Sequence, residues 1–421
     1  MAINGSRFVL PVCLLGALVT LSSCATRPEQ TKVKQAPLEL TKPAFTAPWL
    51  RYKGWSSDIW NEYSTLAVVI PSIPADLIKI EGPITGDPKK GEKLAYDRSR
   101  GGSCVACHVM GKPVPPLPGN AGPDLSEYAT WGRSDEFIFN YIYDHRKIKP
   151  DSIMQPWGAH KLFTVDEIKD MVAFLKAQKS PAEFKDNLEN PNTRPIPVES
   201  RDNFDPFLNE AMAAVDQGKE LFSKEGARKK SCTTCHTSPE QAFKTWAASM
   251  PRHEPRLNKV IGVEEFVTRH ARATTGEEYL LQSKDNLALS IYLRYLANDQ
   301  PINVDTESVE HKQAIKRGTE LLNRKIGQLH MACVDCHTSE RGALKWVRGQ
   351  WLGEFRGQID HFPTWRTSRS EIWDITKRFQ WCNVSVRANE LQAGAPEYGD
   401  LELTISALNN GMKLSVPGIR H

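Results

Sequence analysis

One arrangement recurs three times in this chain: two cysteines separated by two residues and followed at once by histidine. It occurs at Cys104-Val-Ala-Cys107-His108, Cys232-Thr-Thr-Cys235-His236 and Cys333-Val-Asp-Cys336-His337. The spacing suits covalent haem attachment, with two thiols adding to the two vinyl groups and the adjoining imidazole reaching the iron. Redox dithiols and zinc sites also use paired cysteines, but neither requires a histidine after every pair. The surroundings repeat as well. A Gly-x-x-Leu stands upstream of each motif, at Gly91–Leu94, Gly218–Leu221 and Gly318–Leu321. An amphipathic segment follows each: Asp166–Gln178, Lys284–Ala297 and Pro396–Asn409. A repeated unit of this kind demands an opening helix, an attachment loop and a closing helix three times over.

A glycine that lets the first helix approach the last resembles the cytochrome c fold. The chain is therefore expected to be mainly α, with three cytochrome c-type modules in series and three covalently bound haems c. The modules are expected at 84–180, 206–305 and 306–421, with a tether and N-terminal extension over 25–83 and a linker over 181–205. Pro181, Pro191, Pro195 and Pro197 mark the linker, and Trp55, Trp60 and Tyr63 suggest that the late extension packs on something. A length of 421 residues agrees with more than one core. The net charge of +4 makes no case for nucleic acid as a partner.

The N-terminus reads as an address. Phe8–Leu21 is apolar but short for a membrane span, and Leu21-Ser22-Ser23-Cys24 has the form of a bacterial lipobox. The expectation is a lipoprotein signal peptide over 1–24, lipidation at Cys24, and a periplasmic protein held to the membrane by a lipid anchor. An ordinary cleaved signal peptide is the competing reading. Of the nine cysteines, six lie in the haem motifs, Cys13 and Cys24 in the leader, and Cys382 is left over.

The second axial ligand separates the modules. In module one, Met154 lies in a loop before the closing helix; Met171 lies on that helix and reads as packing. His/Met ligation raises the potential and suits electron transfer. Module two offers His270 and His253, of which His270 lies just before the closing helix; Met250 is nearer the motif. Module three offers Cys382, whose thiolate would lower the potential and open sulfur chemistry. A buried structural cysteine is the alternative.

At these residues the chain resembles the SoxAX cytochromes of bacterial thiosulfate oxidation. The first module is similar to SoxX across Gly86–Gly91, Arg98–His108, Leu117–Leu125 and Met154. The remainder is similar to a di-haem SoxA, most specifically at Phe362-Pro-Thr-Trp365, Arg378-Phe-Gln-Trp-Cys382, Val386-Arg387-Ala388 and Glu397–Gly411. The resemblance implies a SoxX–SoxA fusion acting as an L-cysteine S-thiosulfotransferase. Its substrate would be thiosulfate, its partner the SoxYZ carrier protein, and its electron sink an external acceptor such as a small cytochrome c. It also implies that His108 and Met154 hold the first iron, that His337 and Cys382 hold the third, that Cys382 can carry an extra sulfur, and that Arg378 lies at the active site. Di-haem SoxA commonly offers a second cysteine where this chain has His270, which points to a bis-histidine second site. A thiosulfate dehydrogenase that forms tetrathionate and a non-catalytic electron shuttle are the remaining function classes.

Overall fold

In the computed structural model, which describes residues 58–98, 103–197 and 203–420, each of three segments opens and closes with a helix, and the two helices cross. The opening helices are Pro88–Tyr96, Met212–Ser223 and Val309–Asn323; the closing helices are Val165–Lys176, Lys284–Tyr295 and Pro396–Leu408. Local sequence starts them. Asp87 accepts from the amides of Lys89 and Lys90, Thr164 and Glu167 form a reciprocal capping box, and Ser283 accepts from the amide of Asn286.

The crossing is what the glycines permit. A β-carbon at Gly218 would fall 2.2 Å from the carbonyl oxygen of Ala288 on the closing helix. Gly91 meets Asp170 at the same distance, and Gly318 meets Thr404 and Asp400. Only a residue without a side chain lets the backbones approach this closely. The expected closing helices are found within two residues of their predicted ends. Met171 is buried in the module-one core. The third closing helix differs from its expected one-faced pattern: every residue from Tyr398 to Ser406 is buried, because module two covers its second side.

Modules two and three share one hydrophobic core, from Ala214 and Ile291 to Leu401 and Ile405. Module one has its own, around Phe139, Ile168 and Val172, joined by Leu329 and Met331 of module three. Small sheets lie outside the helices: two antiparallel hairpins, Arg252–Glu254 with Lys259–Ile261 and Lys345–Val347 with Gln350–Leu352, and a three-stranded sheet in which Thr364–Arg366 lies between Glu371–Trp373 and Gly418–Arg420.

The extension is no free tether in its later part. Between residues 75 and 84 it lies along helix Asp135–Asp144, whose acid and amide side chains take its backbone N–H groups. Ala75 donates to Asp144, Ile78 to Asn140, Ile80 to Glu136 and Ile84 to Asp135, all at 2.7–2.9 Å. Trp60 is buried, and the Tyr63 hydroxyl donates to the carbonyl of His160. The 181–205 linker is likewise anchored in part: Arg194 donates to the carbonyls of Leu188 and Glu189 and stacks over Trp346. Trp55, Cys24 and the 1–24 signal segment, with Ser99–Gly102 of the SoxX-like stretch, lie outside the described residues. Among the described residues no helix is long and apolar enough to cross a membrane.

Candidate functional site

In module one the attachment motif begins as a tight turn, Cys104–Ala106, that brings the His108 amide to the Cys104 carbonyl at 2.9 Å. The His108 ring donates from Nδ1 to the Pro123 carbonyl at 2.8 Å. A carbonyl can only accept, so this bond fixes the tautomer and leaves Nε2 as the free lone pair a metal needs. Gly122 lies against the ring: a β-carbon there would be 2.2 Å from Cε1. Burial holds the ring's pKa below its ordinary value, which keeps it in the neutral, ligating form. Burial also pushes the thiols up, Cys104 to about 12 and Cys107 to about 11, so both sit as neutral sulfurs in an apolar slot. These features fit a covalently held haem.

Met154 is half-buried on the module-one core, in the loop expected for it. The structure adds a second methionine that sequence order hides. Met331, from module three, packs on the same core, and its sulfur accepts from Gln155 Nε2 at 3.2 Å. Met154→Ala is expected to abolish the weak near-infrared charge-transfer band of a His/Met haem. Persistence of the band in that variant would transfer the ligand role elsewhere, Met331 first.

Module three repeats the device. His337 donates from Nδ1 to the Gly353 carbonyl at 2.7 Å. Burial lowers its pKa to about 4, and the nearby Arg378 guanidinium adds to the shift. Arg378 and Cys382 occupy the same helix, Ile375–Ser385, four residues apart, so both side chains lie on one face. Burial raises the Cys333 thiol to about 12 and the Cys336 thiol as well, and Cys382 lies close enough to both to add to the rise. Tertiary structure thus gathers His337, Cys333, Cys336, Arg378 and Cys382 into one locus. The loop is pinned from within by Asp335, fully buried, which takes Lys325 at 2.6 Å, the Ala332 amide at 2.7 Å and Arg341.

In module two the rings of His236 and His270 stand with centroids 6.2 Å apart, tilted by 51° to one another. An iron between two imidazoles needs two bonds of about 2 Å each, as for other first-row metals, and each coordinating nitrogen lies roughly 1 Å from its ring centre. The observed centroid separation matches that sum. Phe266 stacks on His270 at 5.0 Å, and Phe222 and Phe243 flank His236. His253 goes elsewhere: it stands on a hairpin strand, and its amide donates to His311 Nε2. Met250 is buried in the core. Cys235 is exposed, which makes this the most open of the three attachment motifs.

Sequence order suggested that module three belongs with module two; it also docks on module one. The module-three hairpin donates from the Arg348 amide to the carbonyl of Ala106, inside the first haem motif, at 2.9 Å. Trp346 exchanges two hydrogen bonds with Asn120, its amide to Asn120 Oδ1 at 2.8 Å and its carbonyl from the Asn120 amide at 3.0 Å. Cys107 is near enough to Cys336 to raise its thiol further. The hairpin ends next to Gly353, the carbonyl that orients His337. One short segment therefore touches the loop of the first Cys-x-x-Cys-His motif and orients the histidine of the third. No motif marks it in the sequence.

The fold and these sites define a c-type cytochrome, with covalently bound haem. Residues 217–302 match the family model described as SoxA/TsdA, cytochrome c domain. The chain is similar to the L-cysteine S-thiosulfotransferase subunit SoxA of Pseudaminobacter salicylatoxidans, 28% identical over 218 residues, covering 51% of this chain and 75% of that one. It is also similar to the subunit of the same name from Paracoccus pantotrophus, 29% identical over 223 residues, covering 52% and 73%. A solved structure, that of SoxXA from P. pantotrophus, matches with a TM-score of 0.46 at 27% identity, over 51% of this chain and 80% of the matched chain. The chain thus carries a cytochrome c domain of the SoxA/TsdA type, and about half of it resembles the SoxA subunits of SoxAX cytochromes.

Proposed function

We propose that the chain is an exported SoxX–SoxA fusion with three haems c that couples thiosulfate oxidatively to a cysteine of a SoxYZ-type carrier protein. The observation that carries this reading is the convergence of Arg378 and Cys382 on the third haem motif, within a chain whose relatives are L-cysteine S-thiosulfotransferase subunits. In the reaction a sulfur–sulfur bond forms between thiosulfate and the carrier thiol; the thiol loses its proton, and two electrons leave. The haems, when bound, supply the one-electron acceptors and the route to an external acceptor such as a small cytochrome c.

The protein's own residues supply the rest. Thiosulfate is a dianion, and the Arg378 guanidinium offers a planar, permanently charged partner for it beside the Cys382 sulfur. Arg369 stacks over Trp381 at 4.3 Å and adds positive charge near the same helix. Cys382 is the sulfur at which the two reacting groups meet, and it would carry any sulfur held between turnovers. The hairpin 345–352 supports electron flow from module three to module one by holding their attachment loops together. Module two, with His236 and His270, has the more open motif and a ligand set unlike its neighbours'. Lipidation at Cys24 would hold the protein to a membrane facing the periplasm.

A thiosulfate dehydrogenase is the second reading, because the matching family model covers both types. The test is product analysis with purified protein, thiosulfate and carrier. Cysteine S-thiosulfonate on the carrier supports coupling, whereas tetrathionate formed at the same rate without carrier overturns it. Arg378→Ala is expected to lower kcat/KM about 10- to 100-fold, the loss typical of a charged contact of 1.5–3 kcal/mol, with haem content unchanged. An unchanged kcat/KM would remove Arg378 from the site.

A further inference from the structure

The two helices that carry the axial-ligand candidates of modules two and three both begin at one buried cluster. Glu264 stands in the first turn of helix Val263–Thr274, which carries His270; Asp374 caps helix Ile375–Ser385, which carries Cys382. Glu402, from the closing helix of module three, completes a set of three carboxylates, each no more than 8% exposed. The Arg294 guanidinium lies 3.2 Å from Glu402 and 3.6 Å from Glu264. Glu402 and Glu264 oxygens both reach the space beside Gly262, within 2.6 Å and 3.2 Å of where its β-carbon would stand. Asp374 accepts from the Lys377 amide at 2.6 Å and from Gln282 Nε2 at 3.5 Å, and the Lys377 ammonium opposes the rise in pKa that burial imposes on it. Lys377 donates through its ammonium to Glu371 at 2.7 Å, Glu265 pairs with Lys259 and Arg269, and Asp400 pairs with Arg317.

Arg294 and a Lys377 ammonium shared with Glu371 face three buried carboxylates, and a buried carboxylate short of positive charge takes up a proton rather than bear the desolvation cost. The closing helix of module two turns a polar file toward this cluster. Asn286 Oδ1, Ser290 Oγ and Arg294 Nε, on successive turns, are buried without hydrogen-bond partners. Three such atoms in line, beside acids, have the chemistry of a site that holds protons and the water that relays them.

We propose that Glu264 and Glu402, paired with Arg294, and the neighbouring Asp374, at the seam of modules two and three, form an internal proton-binding site that gains a proton when an electron enters the haems on either side. Burial and mutual repulsion raise Asp374 to about 7 and Glu402 to about 8, so the site titrates in the physiological range. Reduction adds negative charge to the interior and favours the proton; a lower pH therefore raises the potential.

This rests on haem binding by modules two and three but not on the thiosulfate reaction, so the test uses no turnover. On the holoprotein, redox titrations read by electron paramagnetic resonance from pH 6 to 9 should shift the reduced-to-oxidised ratio of at least one of these haems. The shift should approach tenfold per pH unit, 59 mV for one electron. Glu402→Gln, nearly isosteric, should flatten that slope and remove a carboxylic-acid C=O band from the reduced-minus-oxidised infrared spectrum. Potentials that do not move with pH in the unaltered protein, or a slope and band unchanged in Glu402→Gln, would overturn the proposal. Should that variant fail to fold, proton uptake on reduction of the unaltered protein decides the question, and none taken up is the refuting result.

Discussion

Cys382→Ala is expected to lower carrier-dependent thiosulfate coupling by about two to four orders of magnitude, the usual effect of deleting a group that acts directly on the reacting atoms. Haem content should stay the same. The proposed attachment cysteines Cys333 and Cys336 and the proposed ligand His337 belong to another segment, and His337 is oriented by the Gly353 carbonyl, not by the Cys382 helix. The helix itself is set independently, by the Asp374 cap to the Lys377 amide and by Gln380, which donates to the Leu391 carbonyl at 2.9 Å. Alanine is a good helix former and removes only the thiol. The measurement is single-turnover coupling on purified holoprotein, alongside haem quantification. Coupling at the original rate would show Cys382 to be a packing residue and would return the protein to electron transfer alone.

His270→Ala carries the second large effect. If the 6.2 Å centroid separation of the tilted His236 and His270 rings is that of two ligands on one iron, the variant loses one strong-field ligand entirely. The low-spin bis-histidine signal should vanish from the electron paramagnetic resonance spectrum and a high-spin signal replace it. Stability should change little, because His270 is exposed at one edge and its ring contributes mainly the stack on Phe266. His253→Ala is the matched control, since His253 lies beside His311, away from the second motif. An unaltered low-spin signal in His270→Ala, or its loss in His253→Ala, would reverse the assignment.

These expectations differ in how much of each could be read from the chain. Cys104, Cys107 and His108 with their two counterparts are contiguous, so the attachment chemistry is local and legible. The glycines at 91, 218 and 318 are legible for the same reason: a helix crossing leaves a short motif at fixed distance from each haem loop. Distal ligands are harder, because they come from loops or helices tens of residues away, and a methionine or histidine is equally at home in a core. Sequence position favoured His270 over His253 only modestly; the hairpin that turns His253 toward His311 separates them in the fold. The strap over residues 75–84 is fixed by its backbone N–H groups, which donate to Asp135, Glu136, Asn140 and Asp144, and by Ile78, Ile80 and Ile84, which pack on the module-one core; an extended segment that docks on a helix has no helical period to announce it.

By itself the sequence determined the repeating unit, since covalent attachment and close helix crossing each need particular residues at short, fixed spacing. Only the tertiary structure decided which modules touch. The hairpin of Trp346 and Arg348 binds the first attachment loop through backbone groups that every residue possesses, so no side-chain pattern announces it. The buried acids Glu264, Asp374 and Glu402 lie on three separate helices or their caps, and each alone reads as an ordinary surface charge. Their chemistry arises from shared burial, with one arginine between Glu264 and Glu402, a property of the packed interior that no one segment carries.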